Sequence, residues 1–256
     1  MGKEYNVESY WSEVASRIAA RKGSNVVAGD DEPYYRYKRE EFLKMLHSID
    51  FESKTILEVG CGPGGNLMEI FKHKPFKLIG VDVSVQMVEL AKKYCPTQIN
   101  ILKIDGSKLP FDNNYFDIVL TATVLQHNTN QIILTQLISE ICRTCKDTVY
   151  FFERIEPIVM GDDLNEGRPI SFYSKIMKEN GYDLVKSEFI NIRVSYYISG
   201  LIRKLLNRKN RQEGEPLNNA SIRMQKILLP FSRRLDKVLL SKRDVAKLEF
   251  RKTNFK

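Results

Sequence analysis

The chain has 256 residues, 43% of them hydrophobic and 28% charged, with a formal net charge of +8. That is ordinary globular composition with length enough for one large α/β core. No apolar run approaches a membrane span, MGKEYNVESYW has no apolar signal core, and the four cysteines suggest no secreted disulfide framework, so the sequence reads as cytoplasmic.

The first 50 residues read as a helical extension. In SYWSEVASRIAARKG, Tyr10, Trp11, Val14 and Ile18 share one helical face, either packing on a core or covering a site as a lid. GDDEPYYRYKREEFL follows with three tyrosines and several cations. From TILEV (55–59), strands and helices alternate: a helix over 66–73, a strand KLIGVDV (77–83), and a helix capped by Ser84 running to Tyr94. QINILKID (98–105) is a third strand, FDIVLTA (116–122) a fourth, residues 130–143 a helix, and DTVYFFER (147–154) a fifth strand. A helix over 171–179 and a long strand region DLVKSEFINIRVSYY come next. AKLEFRK (246–252) has strand character, and the stretch before it has helical periodicity. The βαβαβ rhythm predicts a mostly parallel sheet with helices on both faces, which binds ligands beyond the carboxyl ends of its strands.

Three glycines, Gly60, Gly62 and Gly65, spell G-x-G-x-x-G after the first strand. Such a turn lets a ligand approach the next helix, and Asp82, about twenty residues on, is placed for ribose hydroxyls. Both features suit NAD and S-adenosylmethionine alike. Glu58 in the form E-V-G-C-G-P-G, Asp105-Gly106 after the third strand, and LPFDNNYFDIVLTATVLQH (109–127) break the tie. Together they resemble the class I S-adenosylmethionine-dependent methyltransferases, in particular the group with the ubiquinone/menaquinone-biosynthesis type of domain.

The resemblance implies a Rossmann-like seven-stranded sheet with an antiparallel last strand. The core would be 51–194 and 244–256, with residues 1–50 as lid and 195–243 as a helical insert before the last strand. It implies S-adenosylmethionine as cofactor, with no metal, and S-adenosylhomocysteine as product. The loop carrying Glu58, Gly60, Cys61, Gly62 and Gly64 would pass under the methionine part. Asp82 and Val83 would lie at the ribose, and Met87, Asp105 and Gly106 at the adenine. Thr121 would meet the methionine moiety by its backbone. Read from the residues themselves, Arg36 or Lys38 could pair with the methionine carboxylate, or the segment is a solvated helix start with alternating charges.

Methyl transfer needs alignment and water exclusion, and a base only where the acceptor is a hydroxyl or a protonated amine. His127 and Glu153 are the candidate catalytic groups at the ligand edge; their alternatives are packing for His127 and a salt bridge for Glu153. Cys142 and Cys145 form half of a zinc spacing and read as packing. Residues 191–256 hold 17 Lys/Arg against 5 Asp/Glu, so the basic character belongs to the tail. Anionic small-molecule, sugar or peptide acceptors, an acidic membrane surface, or plain solvation of a helical cap would each use those cations. Nucleic acid ranks lower: the N/D-P-P-Y tetrapeptide and a P-C motif are both missing.

The expected reaction is O-methylation of an acceptor carboxylate, with Trp11, Tyr37, Arg154, Arg168, Arg193 and Tyr197 around the acceptor. Methylation of a sugar hydroxyl or an amine is the rival. A non-catalytic cofactor- or RNA-binding protein on the same fold is the alternative of another class.

Overall fold

The computed structural model describes residues 7–20, 32–207 and 217–253. Its frame is one sheet of seven strands: β1 (Thr55–Val59), β2 (Lys77–Asp82), β3 (Asn100–Lys103), β4 (Phe116–Ala122), β5 (Cys145–Ile155), β8 (Tyr182–Phe189) and β9 (Asp244–Lys252). They lie in the order β3-β2-β1-β4-β5-β9-β8. The first five run parallel, and β9 is antiparallel to both β5 and β8. Chain order reverses between β1 and β4, which opens a crevice at their carboxyl ends.

Alternation along the strands divides the core in two. Leu57, Val119, Val149 and Phe151 point to the face covered by α5 (Gln131–Thr144) and α6 (Ile170–Glu179). Ile56, Ile118, Leu120 and Phe152 point to the other, under α2 (Pro33–Leu46), α3 (Gly65–Phe71) and α4 (Val85–Tyr94). Both faces are buried, which is why the strands read as near-continuous apolar runs.

Local chemistry sets the helix starts. The Ser84 hydroxyl accepts from the Met87 N–H, and the Asn130 side chain accepts from Ile132 and Ile133. α1 (Val7–Ala19) lies outside the sheet on α4, burying Val14, Ala15 and Ile18 against Met87, with Ser12 and Ser84 hydroxyls 3.1 Å apart.

Two elements differ from expectation. The sixth strand stops at Phe189, and RVSYY opens a helix, α7 (Arg193–Leu206). The reason is tertiary: the buried carboxylate of Asp236, in α8 (Asn219–Asp236), accepts from the N–H groups of Val194 and Ser195 and so caps α7 from another helix. A hairpin of β6 (Met160–Asp162) and β7 (Asn165–Gly167) was not foreseen; the Asp162 carboxylate closes its turn by accepting from Leu164 and Asn165.

Candidate active site

A cavity of about 330 Å³ opens at the carboxyl ends of β1, β2 and β4, beneath α1. Val7, Trp11, Val14 and Ile18, spaced to share one helical face, form its roof.

The floor is the turn after β1. Gly60 has φ +71°, and a Cβ there would lie 2.3 Å from Val124 Cγ2, so only glycine lets the two loops meet. The Gly60 and Cys61 N–H groups both donate to the Val81 carbonyl. Gly64 is not on the cavity: it caps α3 with φ +91°, and a side chain there would strike the Cys95 sulfur. Cys61 lines the cavity, and burial pushes its thiol well above the usual range, so it stays protonated.

Asp82 joins the walls to this floor. One carboxylate oxygen accepts from Gly62 N–H at 2.8 Å and the other from Ser84 N–H at 2.9 Å. Each oxygen has two acceptor sites, so a pair of hydroxyls could still be held. Burial raises its pKa against the pull of those N–H groups. Val83, Met87, Ile104 and Gly106 complete that end. Asp105 does not line the cavity: its carboxylate is exposed and accepts from Ser107 and Lys108, which hold it below the usual carboxylate range.

Glu58 lies one layer under the turn, fully buried, and burial raises its pKa to about 8. One oxygen accepts from the Asn66 amide at 2.7 Å; the other is buried without a hydrogen-bond partner. Asn66 in turn accepts from the Arg39 guanidinium, which also donates to the Gly65 carbonyl at 3.1 Å. Arg39 lines the cavity; Arg36 is exposed on the same helix and does not, and Lys38 pairs with Asp244. The phase of α2, set by burial of Tyr34, Tyr37, Phe42 and Leu46, turns Arg39 inward. Its place three residues after Arg36 was the available signal for it.

The far wall is Ala122 to Asn128. His127 lines the cavity, edge-on to Trp11 with ring centroids 4.9 Å apart. A carbonyl can only accept, so the His127 Nδ1 2.8 Å from Leu164 O carries the proton. Gln126 Oε1 accepts from the Arg154 N–H, which turns the Gln126 amide nitrogen toward His127 Nε2, 3.3 Å away, as a donor. Glu153 is behind the wall, not in the cavity. Its carboxylate accepts from the Thr121 hydroxyl at 2.9 Å and from the N–H groups of Val124 and Gln126. Burial raises its pKa against those donors. Thr121 is likewise fully buried.

The expected acceptor residues are scattered. Arg168 is buried and donates to the carbonyls of Leu125 and Asn128, clamping the His127 turn from behind, with Glu166 as ion partner. Arg154 pairs with Glu156 at 3.2 Å. Tyr37 is buried under the Arg233 guanidinium. Arg193 donates to the Tyr197 hydroxyl on α7. None of these lines the cavity, and of that set only Trp11 does. Cys142 and Cys145 are buried free thiols, Cys142 against the Met177 sulfur, and no group of three His, Cys, Asp or Glu among the described residues could hold a metal ion.

The family model described as a methyltransferase domain matches residues 56–148. The sterol 24-C-methyltransferase of Pneumocystis carinii is 24% identical over 195 residues, covering 65% of this chain and 51% of that protein. The chain thus spans about half the length of that relative. The crystal structure of the [4+2]-cyclase SpnF superposes with TM-score 0.66 at 16% identity, over 96% of this chain and 95% of that one. Magnesium protoporphyrin IX methyltransferase of Synechocystis PCC 6803, solved with bound SAH, gives 0.59 at 12% identity, over 96% and 98%. These structural likenesses concern the fold.

Proposed function

We propose that the chain, whose residues 56–148 match the methyltransferase-domain model, is a class I S-adenosylmethionine-dependent methyltransferase that transfers the cofactor's methyl group to a carboxylate oxygen of a peptide or small natural product. The cofactor supplies a methyl on a sulfonium, already activated for in-line displacement. The cavity fits it: an open turn at Gly62, spare acceptor sites on Asp82 and a cation at Arg39.

In this reading Asp82 holds the ribose hydroxyls, while Gly106, Met87 and Ile104 flank the adenine. Gly60 and Gly62 let the methionine part lie against backbone, and Arg39 faces its carboxylate. Trp11, Val7 and Val124 exclude water at the acceptor end.

The observation that carries the choice of acceptor is that each titratable group on the cavity is already engaged. Arg39 is tied to Asn66 and Gly65, and Asp82 to Gly62 and Ser84. Cys61 is held as a thiol, and both His127 ring nitrogens have protein partners. No base stands ready, and a carboxylate, ionised at neutral pH, needs none. An arginine clamp of Arg154, Arg168 and Arg193 forms no part of the proposal. The four buried free thiols support a cytoplasmic setting.

The test supplies methyl-labelled cofactor to the protein with proteins and small molecules of the producing cell. Products are then treated with mild base: methyl esters release volatile labelled methanol, whereas ethers and N-methyl groups do not. His127→Ala is expected to keep turnover within about threefold. Base-stable label, together with loss of turnover in His127→Ala at unchanged S-adenosylhomocysteine affinity, would establish a hydroxyl or amine acceptor instead.

A further inference from the structure

The helix pair α7–α8 is apolar on the wrong side for water. The pair buries Ser195, Ser199 and Ile202 of α7 and Ser221, Gln225, Ser232 and Asp236 of α8, polar side chains in every place but Ile202. This polar seam is satisfied internally. The Ser195 hydroxyl donates to the Asp236 carboxylate and lies 2.8 Å from the Ser232 hydroxyl, Gln225 donates to Ser221, and Gln225 accepts from the Tyr34 N–H.

Large apolar side chains point outward instead. On α7, Tyr197, Leu201 and Leu205 recur every four residues and are 57%, 59% and 71% exposed. On α8, Ile227, Phe231 and Leu235 do the same at 62%, 62% and 48%. A helix pair in water normally buries its apolar stripe; small polar residues at the seam with apolar ones outside are the pattern of helices whose surroundings are themselves apolar.

Both stripes face the same way. α2 meets α7 through Arg203 and Tyr196, and α8 through Gln225 and Arg233. At 3.6 residues per turn, Leu201 on α7 and Ile227 and Phe231 on α8 fall opposite those contacts, away from the rest of the protein. Exposed cations border the α8 stripe on one side: Arg223, Lys226, Arg234 and Lys237.

We propose that the outer face of the α7–α8 hairpin docks on the surface of a bilayer containing anionic phospholipid. The apolar stripe would enter the acyl boundary while the cations meet the headgroups, the two signals that surface binding needs. No helix among the described residues is long and apolar enough to cross a membrane, so the hairpin lies on the surface. A second copy of the chain is the poorer occupant, because α7 and α8 present no exposed carboxylate to pair with the other copy's cations: α7 has no Asp or Glu, and Asp236 of α8 is buried. The cofactor cavity is on the other side of α2 and contains no residue of the hairpin. The proposal therefore stands or falls apart from the choice of acceptor.

The test is sedimentation of the full chain with vesicles of phosphatidylcholine alone or with about one part in three phosphatidylglycerol. Wild-type protein is expected to pellet at least tenfold more with the anionic vesicles, and less as salt rises. The triple variant Leu201→Ser, Ile227→Ser, Phe231→Ser should lose at least tenfold in binding with an unchanged melting temperature, while Phe231→Leu alone should bind as wild type. Absence of vesicle binding, or equal binding by the triple variant, would overturn the proposal. So would a wild-type dimer that the triple variant converts to monomer without any vesicle binding, which would assign the face to a second copy. Vesicle-independent retention on an acidic protein would likewise assign it to a protein partner.

Discussion

Two carboxylates under the cavity show how one residue type takes opposite roles. Glu153 accepts three protein donors at once, and those donors are the backbone and side chain of the wall that carries His127. Glu153→Gln puts an amide NH₂ against N–H groups that need an acceptor. The expected cost is about 1–3 kcal/mol of stability, read as a lower melting temperature, together with weaker S-adenosylhomocysteine binding. A general base would behave differently: turnover would fall while stability and product affinity held, and that result would return Glu153 to the reacting atoms. Glu58 is under strain rather than in service, since burial lifts its pKa from 4.5 to about 8. Between those values the folded protein keeps a proton that the unfolded chain has released. Stability therefore falls as pH rises through that window and is lowest above it. Glu58→Gln keeps the oxygen that accepts from Asn66 and removes the titration. Its melting temperature relative to wild type should climb from pH 5 to pH 8; a difference that is flat with pH would show that Glu58 is ionised throughout.

At the scale of elements, α1 is the part whose contribution to binding is most separable from the fold. It touches the core mainly through Val14, Ala15 and Ile18 on Met87 and the Ser12–Ser84 contact. Placing Asp at both Val14 and Ile18 removes apolar contacts of roughly 1.5–3 kcal/mol each and adds two buried charges, which α1 can escape by lifting off. Calorimetry should then show at least tenfold weaker S-adenosylhomocysteine binding with the sheet signal in circular dichroism retained. Unchanged affinity would mean that α1 does not close the cavity. The face of α1 was legible in the sequence because its spacing is helical, and β1, β2, β4 and β5 were legible because strands buried on both faces are apolar without interruption. The extended reading of RVSYY failed for a reason no local pattern holds: the cap that starts α7 there is Asp236, more than forty residues away. Arg168 illustrates the same limit inside the site. Its charge suggested an acceptor clamp, whereas its partners are the carbonyls of Leu125 and Asn128, and it follows a hairpin whose three-residue strands, MGD and NEG, carry no hydrophobic alternation.

Across the whole molecule, charge and cavity are segregated. Residues 191–256 carry the excess of cations, while the cavity is built from residues 7 to 137 and shows one Lys or Arg, Arg39, among its described lining. A cofactor bearing a single carboxylate and an ammonium suits that cavity; a dinucleotide with a pyrophosphate would want more donors than one guanidinium and the turn at Gly60–Gly62. The difference is measurable as linkage. A ligand that binds only the folded state stabilises it by about 2.7 kcal/mol at one hundred times its Kd. For a chain of this size that corresponds to a rise of roughly 5–10 °C in melting temperature. S-adenosylhomocysteine should produce such a shift, with the rise growing as the logarithm of its concentration, and NAD should produce none at equal concentration. The shift should also be smaller in Gly62→Ala: backbone strain at φ +52° lowers the melting temperature with and without ligand, whereas the added methyl, which meets no protein atom within 4 Å, takes room from the ligand alone. A shift with NAD that Gly62→Ala abolishes would mean that this crevice holds two nucleotides, and the glycines would then be cradling a pyrophosphate after all.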